Sequence, residues 1–240
     1  MTYRMVSIVL PVYDQEDHIQ RIVQEYHAAL TNVNVEHEIL LIVNGSRDGS
    51  LEVSKELATK TPSVRVLATE LPGWGRAVRI GLQASQGDLL CYTNSARTSP
   101  EHLVLLLLYA LALPGVVVKA NRKIRDNWRR RLGSLLYNLE CRALLDLSQW
   151  DINGTPKVFP RTCTKLLDLS RNDDLIDLEF NALCRREEYP MVEVPIFSTR
   201  RHGGESTTNY ISALKMYRGA FQFWRSMNAA SDPALLPAKR

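Results

Sequence analysis

Clusters of cysteine or histidine are missing from this sequence. The four cysteines never form a C-x-x-C pair, and the five histidines are scattered along the chain. A zinc site needs such ligands at short spacing, and a disulfide framework needs a short, cysteine-dense chain. Neither is therefore expected, and we predict that the cysteines are buried, reduced thiols: Cys91, Cys141, Cys163 and Cys184.

A long uninterrupted apolar run is missing as well. The most apolar stretch, residues 103–118, is shorter than the roughly 20 residues that span a bilayer, and Pro114-Gly115 interrupts it. It predicts a buried helix followed by a strand, with Ser99 as the N-cap and Pro100 in the first turn. The first residues show no secretory signal pattern. We therefore expect a cytoplasmic protein, with peripheral contact at the inner membrane face as a further hypothesis.

The charge balance and the organisation of the chain indicate which class of protein this is. The formal net charge is only +4, and no nucleic-acid reader motif is present, which argues against nucleic-acid binding. The 240 residues include 45% hydrophobic residues and contain no internal repeat and no low-complexity linker. These features are typical of one folded core. We predict a single domain over residues 1–228 and a flexible tail over residues 229–240.

Short apolar runs alternate with helical patterns in the first half of the chain. Strands are predicted at residues 6–10, 38–43, 64–68, 88–92 and 115–120, with helices between them. After residue 120 the pattern predicts helices near 128–145 and 175–186 and a strand at 191–196. This order predicts an α/β fold with a mostly parallel, Rossmann-like sheet flanked by helices, in which ligands bind at the carboxyl ends of the strands. The first helix has apolar residues at helical spacing: Ile19, Ile22, Val23, Tyr26 and Leu30.

Three loops that follow predicted strands carry the most specific patterns. Residues 10–16 read LPVYDQE, residues 43–50 read VNGSRDGS, and residues 73–81 read GWGRAVRIG. Either of the first two alone is also explained by turns and helix caps. In order and spacing the three together resemble family-2 glycosyltransferases, in the branch of dolichol-phosphate mannosyltransferase and other polyprenyl-phosphate sugar transferases. The resemblance continues through a D-x-x-x-G-x-x-x-F stretch at residues 151–159 and covers about residues 5–220.

This resemblance implies a glycosyltransferase A fold, with a nucleotide-binding half at residues 1–100 and an acceptor half at residues 101–228. It also implies a UDP- or GDP-sugar as donor. Asp14 stands where the family usually has asparagine, and Val43 replaces an aspartate that normally contacts the base, so the sequence does not define the base. The implied nucleotide-binding residues are Pro11, Tyr13, Glu16, Asn44, Asp48, Gly75, Arg76, Arg79, Thr93, Asn94 and Ser95.

The loop after the fourth predicted strand departs most from the family. Family members hold Mg²⁺ or Mn²⁺ there with a D-x-D pair, whereas residues 93–95 of this chain read TNS, and no carboxylate occurs between residues 88 and 101. Hard divalent cations favour carboxylate oxygens. We therefore predict no metal at this loop, and Mg²⁺ or Mn²⁺ would bind only outside the usual site.

A diphosphate leaving group still needs positive charge beside it. Arg97 is the nearest permanent cation in the same loop, and its forked donors match phosphate oxygens. We predict that Arg97 takes the place of the metal, with Arg201 contributing from the opposite wall as the resemblance implies. The alternative is that Arg97 is a surface arginine at the start of a helix.

The second wall of the predicted cleft combines a basic segment with an acidic helix. The resemblance places an anionic acceptor, such as a polyprenyl phosphate, on this side, where lipid headgroups could also meet the arginines. A solvated helix face is the alternative. Asp177 is the candidate for the base that takes or orients the acceptor proton, and a solvated helix acid is again the alternative. The implied acceptor-binding residues are Arg122, Arg125, Arg129, Arg130, Glu179 and Ser206.

Taken together, these patterns favour an inverting glycosyltransferase that works without a metal bound at a D-x-D pair. The alternative is a catalytically silent sugar-nucleotide-binding or scaffold subunit, which the missing metal ligands favour. A nucleotidyltransferase would carry a G-x-G-T-R-like loop near the first strand, and that loop is absent. Nothing in the sequence indicates an oligomeric state.

Overall fold

The computed structural model describes residues 3–33, 35–123, 128–197 and 210–231, without the side chains of 128–131, 210–214 and 228–231. In this part the strands are β1 (Met5–Val12), β2 (Glu36–Asn44), β3 (Val64–Thr69), β4 (Leu89–Tyr92), β5 (Val117–Arg122), β6 (Lys157–Pro160) and β7 (Met191–Ile196). The α-helices are α1 (Ile19–Thr31), α2 (Ser50–Lys60), α3 (Trp74–Ala84), α4 (Pro100–Ala112), α5 (Trp128–Leu145), α6 (Ile176–Arg186) and α7 (Tyr210–Ser231). A short 3-10 helix spans Thr164–Leu167.

The strands form one sheet in the order β3-β2-β1-β4-β6-β5-β7. β1 pairs in parallel with β2 and β4, β2 pairs in parallel with β3, and β5 pairs in parallel with β7. β6 runs antiparallel to both of its neighbours and separates β4 from β5. The predicted α/β class with a mostly parallel sheet is therefore confirmed. The carboxyl ends of β1, β2 and β4 lie at one edge, where ligands bind in such sheets.

Helices cover both faces of the sheet because successive strand side chains point to opposite faces. Ile8 and Leu10 of β1 pack in a core with α1, α2 and α4, whereas Val9 packs in a second core with α3 and α6. The five apolar residues predicted for the first helix are all buried. A smaller core joins α5 to α7 and to the start of α6. As predicted, the Ser99 hydroxyl accepts the His102 N–H at the start of α4.

Strand β6 is the element that the sequence pattern does not predict. It has only four residues and begins with a lysine, so it lacks the apolar run by which the other strands are recognised. Lys157 is nevertheless fully buried in the sheet. Its burial is explained by a carboxylate partner on α6.

The second half of the molecule differs from the prediction at one boundary. Helix α7 continues to Ser231, so residues 229–231, where the flexible tail was expected to begin, are helical. Residues 232–240 lie outside the described part of the chain. Within the described ranges, no helix has both the length and the apolar character needed to cross a bilayer.

Candidate active site

The loops that follow β1 and β2 are joined to each other by carboxylates. Glu16 Oε2 accepts the Gly49 N–H at 2.8 Å, and Asp48 Oδ2 accepts the Glu16 N–H at 3.0 Å. Asp14 Oδ1 accepts the Arg47 N–H at 2.8 Å. These bonds cross between chain segments more than thirty residues apart and fix one loop against the other. Glu16 and Asp48, both predicted to bind the nucleotide, therefore also hold the shape of this edge.

An open cavity of about 500 Å³ lies between these loops and is lined by Asp14, Glu16, Asp17 and Asp48. Burial alone would raise the pKa of Asp48, but hydrogen bonds from Ser50 and from the Glu16 N–H outweigh it and lower that pKa. Asp48 is therefore ionised at neutral pH. Carboxylate oxygens accept hydrogen bonds from the hydroxyls of a ribose or the N–H groups of a base. Their negative charge repels phosphate.

Pro11, Tyr13 and Asn44 lie at the carboxyl ends of β1 and β2. Pro11 is buried within β1, whereas Tyr13 is 36% exposed. The buried Asn44 amide donates to the Val12 carbonyl at 2.8 Å, and its Oδ1 accepts the Gly73 N–H at 3.0 Å. Asn44 thus ties β1 and β2 to the start of α3. Tyr13 is the member of this group with a surface that a nucleoside can contact.

The glycine pattern at the start of α3 serves a close backbone contact. A Cβ at Gly73 would lie 2.5 Å from the Asn172 carbonyl oxygen, and one at Gly75 would lie 2.5 Å from the Arg171 carbonyl oxygen. Gly73 also has φ +150°, which other residues rarely adopt. The Arg76 N–H donates to the Asn172 carbonyl at 3.1 Å. Gly75 and Arg76, predicted to bind the nucleotide, therefore contact the 171–173 loop.

Glu179 of α6 holds the same loop from its other side. Its carboxylate accepts the Ser170 N–H and the Arg171 N–H, each at 2.9 Å, and it also accepts the Ser170 hydroxyl. The Arg79 guanidinium donates to Asn172 Oδ1 at 2.6 Å. Glu179 was predicted on the acceptor side and Arg79 on the nucleotide side, and in the structure both side chains are engaged by this loop.

The uncharged residues 93–95 have partners within the protein. The Thr93 hydroxyl bonds to the Thr98 hydroxyl at 2.7 Å, and the Ser95 hydroxyl donates to Gln15 Oε1 at 2.5 Å. Thr93 and Ser95 are fully buried, and Asn94 is partly buried. Two residues further on, the Arg97 side chain is exposed. Arg97 is therefore the most solvent-accessible of the predicted donor-side residues of this loop, and its role beside a diphosphate stays a prediction.

Asp177 lies at the first turn of α6 in a buried polar cluster at the end of β4. The Lys157 ammonium bonds directly to its carboxylate, and the Tyr92 hydroxyl donates to Asp177 Oδ1 at 2.9 Å. Tyr92 and Lys157 are paired residues of β4 and β6. Burial lowers the pKa of Lys157 to about 8, although Asp177 opposes that shift. Burial and the charge of Asp177 raise the pKa of Tyr92, so it stays a phenol and a donor.

Sequence reasoning identified Asp177 but missed its two partners. Lys157 lies inside the D-x-x-x-G-x-x-x-F stretch at residues 151–159, so the motif itself was the available signal. Asp177 and Glu179 point to different sides of α6, as their spacing of two predicts. Asp177 faces the end of β4, whereas Glu179 faces the 170–171 loop.

Arg122 at the end of β5 is bound by Asp151. Its guanidinium donates to both carboxylate oxygens of Asp151, at 2.7 and 2.8 Å, and Asp151 also accepts the Arg122 N–H at 3.1 Å. The Arg122 side chain is one-fifth exposed, so a neighbouring ligand can still meet its outer edge. Apart from Asp177 and Glu179, the remaining predicted residues of this wall lie outside the described residues or side chains: Arg125, Arg129, Arg130, Arg201 and Ser206.

A family model described as "Glycosyl transferase family 2" matches residues 7–167, more than half of the chain. The chain belongs to glycosyl transferase family 2. The match includes every strand-end loop described above from β1 to β6. It confirms the family that the three loop patterns resemble.

Curated relatives with specific names are also similar to the chain. The chain is 28% identical over 220 residues to the undecaprenyl-phosphate 4-deoxy-4-formamido-L-arabinose transferase of Edwardsiella ictaluri. The aligned region covers 90% of this chain and 66% of the relative. The transferase of the same name from Pseudomonas fluorescens is 28% identical over 207 residues, covering 84% of this chain and 59% of the relative. The chain thus spans less than two thirds of the length of these relatives.

Solved structures confirm the predicted glycosyltransferase A fold. Glucosyl-3-phosphoglycerate synthase from Mycobacterium tuberculosis, in complex with Mn²⁺, UDP and glucosyl-3-phosphoglycerate, matches with a TM-score of 0.69 and 19% identity, over 93% of this chain and 79% of that chain. Its complex with phosphoglyceric acid matches with a TM-score of 0.68 and 20% identity, over the same shares. At this identity the likeness concerns the fold.

The metal that the family implies does not suit the residues of this loop. Residues 93–95 offer two hydroxyls that already bond to Thr98 and Gln15, and one amide whose Oδ1 accepts the Ala96 N–H at 3.0 Å. Mg²⁺ and Mn²⁺ favour carboxylate oxygens.

The buried pair of Lys157 and Asp177 predicts a specific stability pattern. Lys157→Met leaves the Asp177 charge buried without its cation and should lower the free energy of unfolding by about 3–5 kcal/mol. The double variant Lys157→Met/Asp177→Leu should lose less than Lys157→Met alone, because no unpaired charge remains. Urea denaturation of the purified variants measures both values.

The matched control is Arg185→Met, which breaks an exposed ion pair with Asp146 at the other end of α6. We expect no measurable change in stability, because exposed pairs contribute little. Equal losses for Lys157→Met and Arg185→Met would contradict the buried pairing.

Proposed function

We propose that this chain transfers a sugar, with inversion, from a UDP- or GDP-sugar to an anionic acceptor at the carboxyl edge of the sheet. The observation that carries the proposal is the position of Asp177. Its carboxylate accepts the hydroxyl of Tyr92, the last residue of β4 in the donor half, and it is the first acid of α6 in the acceptor half. The two halves of the proposed cleft therefore meet at this carboxylate.

The chemistry requires one bond to form as another breaks. An acceptor oxygen attacks the anomeric carbon, and the bond from that carbon to the diphosphate oxygen breaks with its electron pair leaving on the nucleoside diphosphate. The growing negative charge needs fixed cations nearby. Arg97 on the donor loop is the proposed cation, with Arg201 as a second one in a segment outside the described residues. No metal held by residues 93–95 takes part in this proposal.

Asp177 is proposed to orient the acceptor or to accept its proton. Its carboxylate has bonds from Lys157 and Tyr92 that fix its position, which suits an orienting group. A phosphate acceptor is already anionic and needs little help from a base. The proposed role of Asp177 is then mainly to position the attacking oxygen beside the donor.

A polyprenyl phosphate is the proposed acceptor. Two observations support it: the relatives are named undecaprenyl-phosphate 4-deoxy-4-formamido-L-arabinose transferases, and residues 122–131, from the end of β5 to the start of α5, contain five arginines. Arginine forks bind phosphate oxygens in pairs. The proposed location is accordingly cytoplasmic and peripheral at the inner membrane face, where a lipid-linked phosphate is accessible.

The donor's nucleoside is proposed to lie against Tyr13 and the acidic cavity between the first two loops. The carboxylates of that cavity suit donor groups of a ribose or base. The diphosphate would then extend toward residues 93–97, away from those carboxylates. UDP and GDP remain alternatives because Val43 stands where the base-reading aspartate would be.

A silent sugar-nucleotide-binding subunit is the second candidate. The observation that favours it is that Asn44, Thr93 and Ser95 all have hydrogen-bond partners inside the protein. A subunit of this kind would bind a donor but release no nucleoside diphosphate. Turnover, and not binding, therefore separates the two candidates.

A panel of UDP- and GDP-sugars should identify the donor by thermal shift. A ligand that binds only the folded state adds about 2.7 kcal/mol of stability at 100 times its Kd. We expect one base to stabilise the chain, and we expect that donor to release nucleoside diphosphate when undecaprenyl phosphate is added. Stabilisation without any release, with the lipid phosphate and with sugar acceptors, would support the silent subunit instead. The absence of any shift would reject both.

The second test of the proposed function measures how turnover depends on divalent metal and on Arg97. Turnover should be the same with EDTA as with Mg²⁺ or Mn²⁺, and Arg97→Ala should lose about 1.5–3 kcal/mol of donor or transition-state binding, the usual cost of one charge-assisted contact. Arg186→Ala, at the far end of α6 from Asp177, is the control and should leave turnover unchanged. Strict metal dependence of the parent chain, or full activity of Arg97→Ala, would reject this part of the proposal.

A further inference from the structure

Two histidines meet at the amino end of β2, far from the carboxyl edge that holds the proposed cleft. His27 Nδ1 on α1 lies 3.1 Å from His37 Nε2 on β2, and the two ring centres are 5.2 Å apart. His37 is the second residue of β2, and Asn44 is its last. At roughly 3.3 Å per residue, about 23 Å of strand separates the two positions. His27 and His37 form the histidine pair.

Three segments of the chain hold the histidine pair in place. His27 lies in the second half of α1 and His37 near the start of β2, and the Ser63 hydroxyl, just before β3, lies 3.3 Å from His27 Nδ1. The Ser63 carbonyl accepts the Ile39 N–H at 2.8 Å, which fixes that segment against β2. Both rings are partly buried. Packing therefore restrains the rings, while solvent still reaches them.

The contact within the histidine pair requires a nitrogen lone pair. Two imidazole nitrogens at this distance are joined by one hydrogen, which one ring donates and the other accepts. Burial, followed by the neighbouring His27, lowers the pKa of His37, and a hydrogen bond with the Val35 backbone opposes this shift. Because His37 Nε2 faces His27, the bond with Val35 is left to His37 Nδ1. The hydrogen of His37 then lies on Nδ1, and Nε2 presents its lone pair.

This arrangement suits a metal ion. A histidine that binds a metal usually donates its other ring N–H to a carboxylate, a backbone carbonyl or water, as His37 does toward Val35. Two Zn–N bonds of roughly 2.0–2.1 Å at a tetrahedral angle place their nitrogens about 3.3 Å apart. The observed 3.1 Å needs only a small side-chain adjustment. Imidazole suits Zn²⁺, Cu²⁺ and Ni²⁺, whereas Mg²⁺ and Mn²⁺ favour oxygen ligands.

We propose that the histidine pair binds one transition-metal ion, such as Zn²⁺, in place of the hydrogen that joins the two rings. His27 then carries its hydrogen on Nε2, so both rings stay neutral and each offers one lone pair to the ion. Water completes the coordination. The two histidines are ten residues apart in the sequence and lie on different elements, which is why the sequence pattern predicted no zinc site.

An ion at the histidine pair would have a structural role. It would join α1 to β2, and the opposite ends of these two elements carry the loops that follow β1 and β2. Binding at the amino end of β2 would thus fix the two supports of the donor edge against each other without contact with the cleft. The inference does not rest on the proposed function, because it uses no residue of that cleft.

The test is a zinc titration of the whole chain by calorimetry, with a chain that carries no histidine tag and has been freed of metal with EDTA. We expect one Zn²⁺ per chain and no comparable binding of Mg²⁺. His27→Gln and His37→Gln should each weaken zinc binding by roughly tenfold or more, because each removes one of the two ligands. The matched control is His102→Gln, at another partly buried histidine near the start of α4, and it should bind zinc as the parent does.

Absence of zinc binding by the parent, unchanged affinity in both variants of the pair, or loss in His102→Gln alone would overturn the proposal. A second measurement needs no substitution and therefore covers a variant that folds poorly. Paramagnetic Ni²⁺ broadens the NMR signals of nearby amides in the ¹⁵N-labelled parent. We expect broadening around His27, His37 and Ser63. Broadening centred instead on the acidic cavity of residues 14–17 would overturn the proposal. Neither measurement uses a sugar donor, so failure of the proposed function would leave both results unaffected.

Discussion

The buried ion pair between Lys157 and Asp177 allows β6 to connect the donor half of the sheet to the acceptor half. An unpaired ammonium inside a protein costs several kcal/mol, so a strand that begins with lysine needs an anion at that place. Asp177 provides it, and Tyr92 donates the second hydrogen bond. With this charge compensated, β6 lies between β4 and β5 as an antiparallel strand. Without β6, the parallel strands of the donor half and the strands of the acceptor half would not share one sheet.

A second set of contacts keeps the donor edge in a fixed shape. Glu179 holds the 170–171 loop, and that loop lies so close to Gly73 and Gly75 that neither position has room for a side chain. Asn44 ties the start of α3 to β1. Polar residues at this edge thus mainly bond to one another, which organises the site before a ligand arrives. The loops after β1 and β2 carry several carboxylates, which repel a diphosphate. A diphosphate that binds near residues 93–97 therefore needs a cation beside it.

The sequence predicted the regular part of this architecture because its signals are local. Alternating apolar runs gave the parallel strands, the helical spacing from Ile19 to Leu30 gave the buried face of α1, and Ser99 gave the start of α4. Strand β6 was not predicted, because a four-residue segment that begins with a lysine has no periodic pattern of apolar residues. The spacing of Asp177 and Glu179 predicts that they lie on different faces of α6. It does not predict which of the two faces the cleft. The partners of each, Lys157 and the 170–171 loop, are long-range contacts that no local pattern contains.

We propose that this family-2 glycosyltransferase chain binds its nucleotide at the carboxyl edge of the sheet without a divalent cation on the loop after β4. A crystal structure of the chain grown with UDP or GDP and Mn²⁺, with anomalous diffraction data for manganese, tests this most directly. We expect the nucleoside against Tyr13, the diphosphate near Arg97, and no manganese peak within coordination distance of residues 93–95. A manganese ion that bridges the diphosphate to that loop, or a nucleotide bound elsewhere, would contradict it.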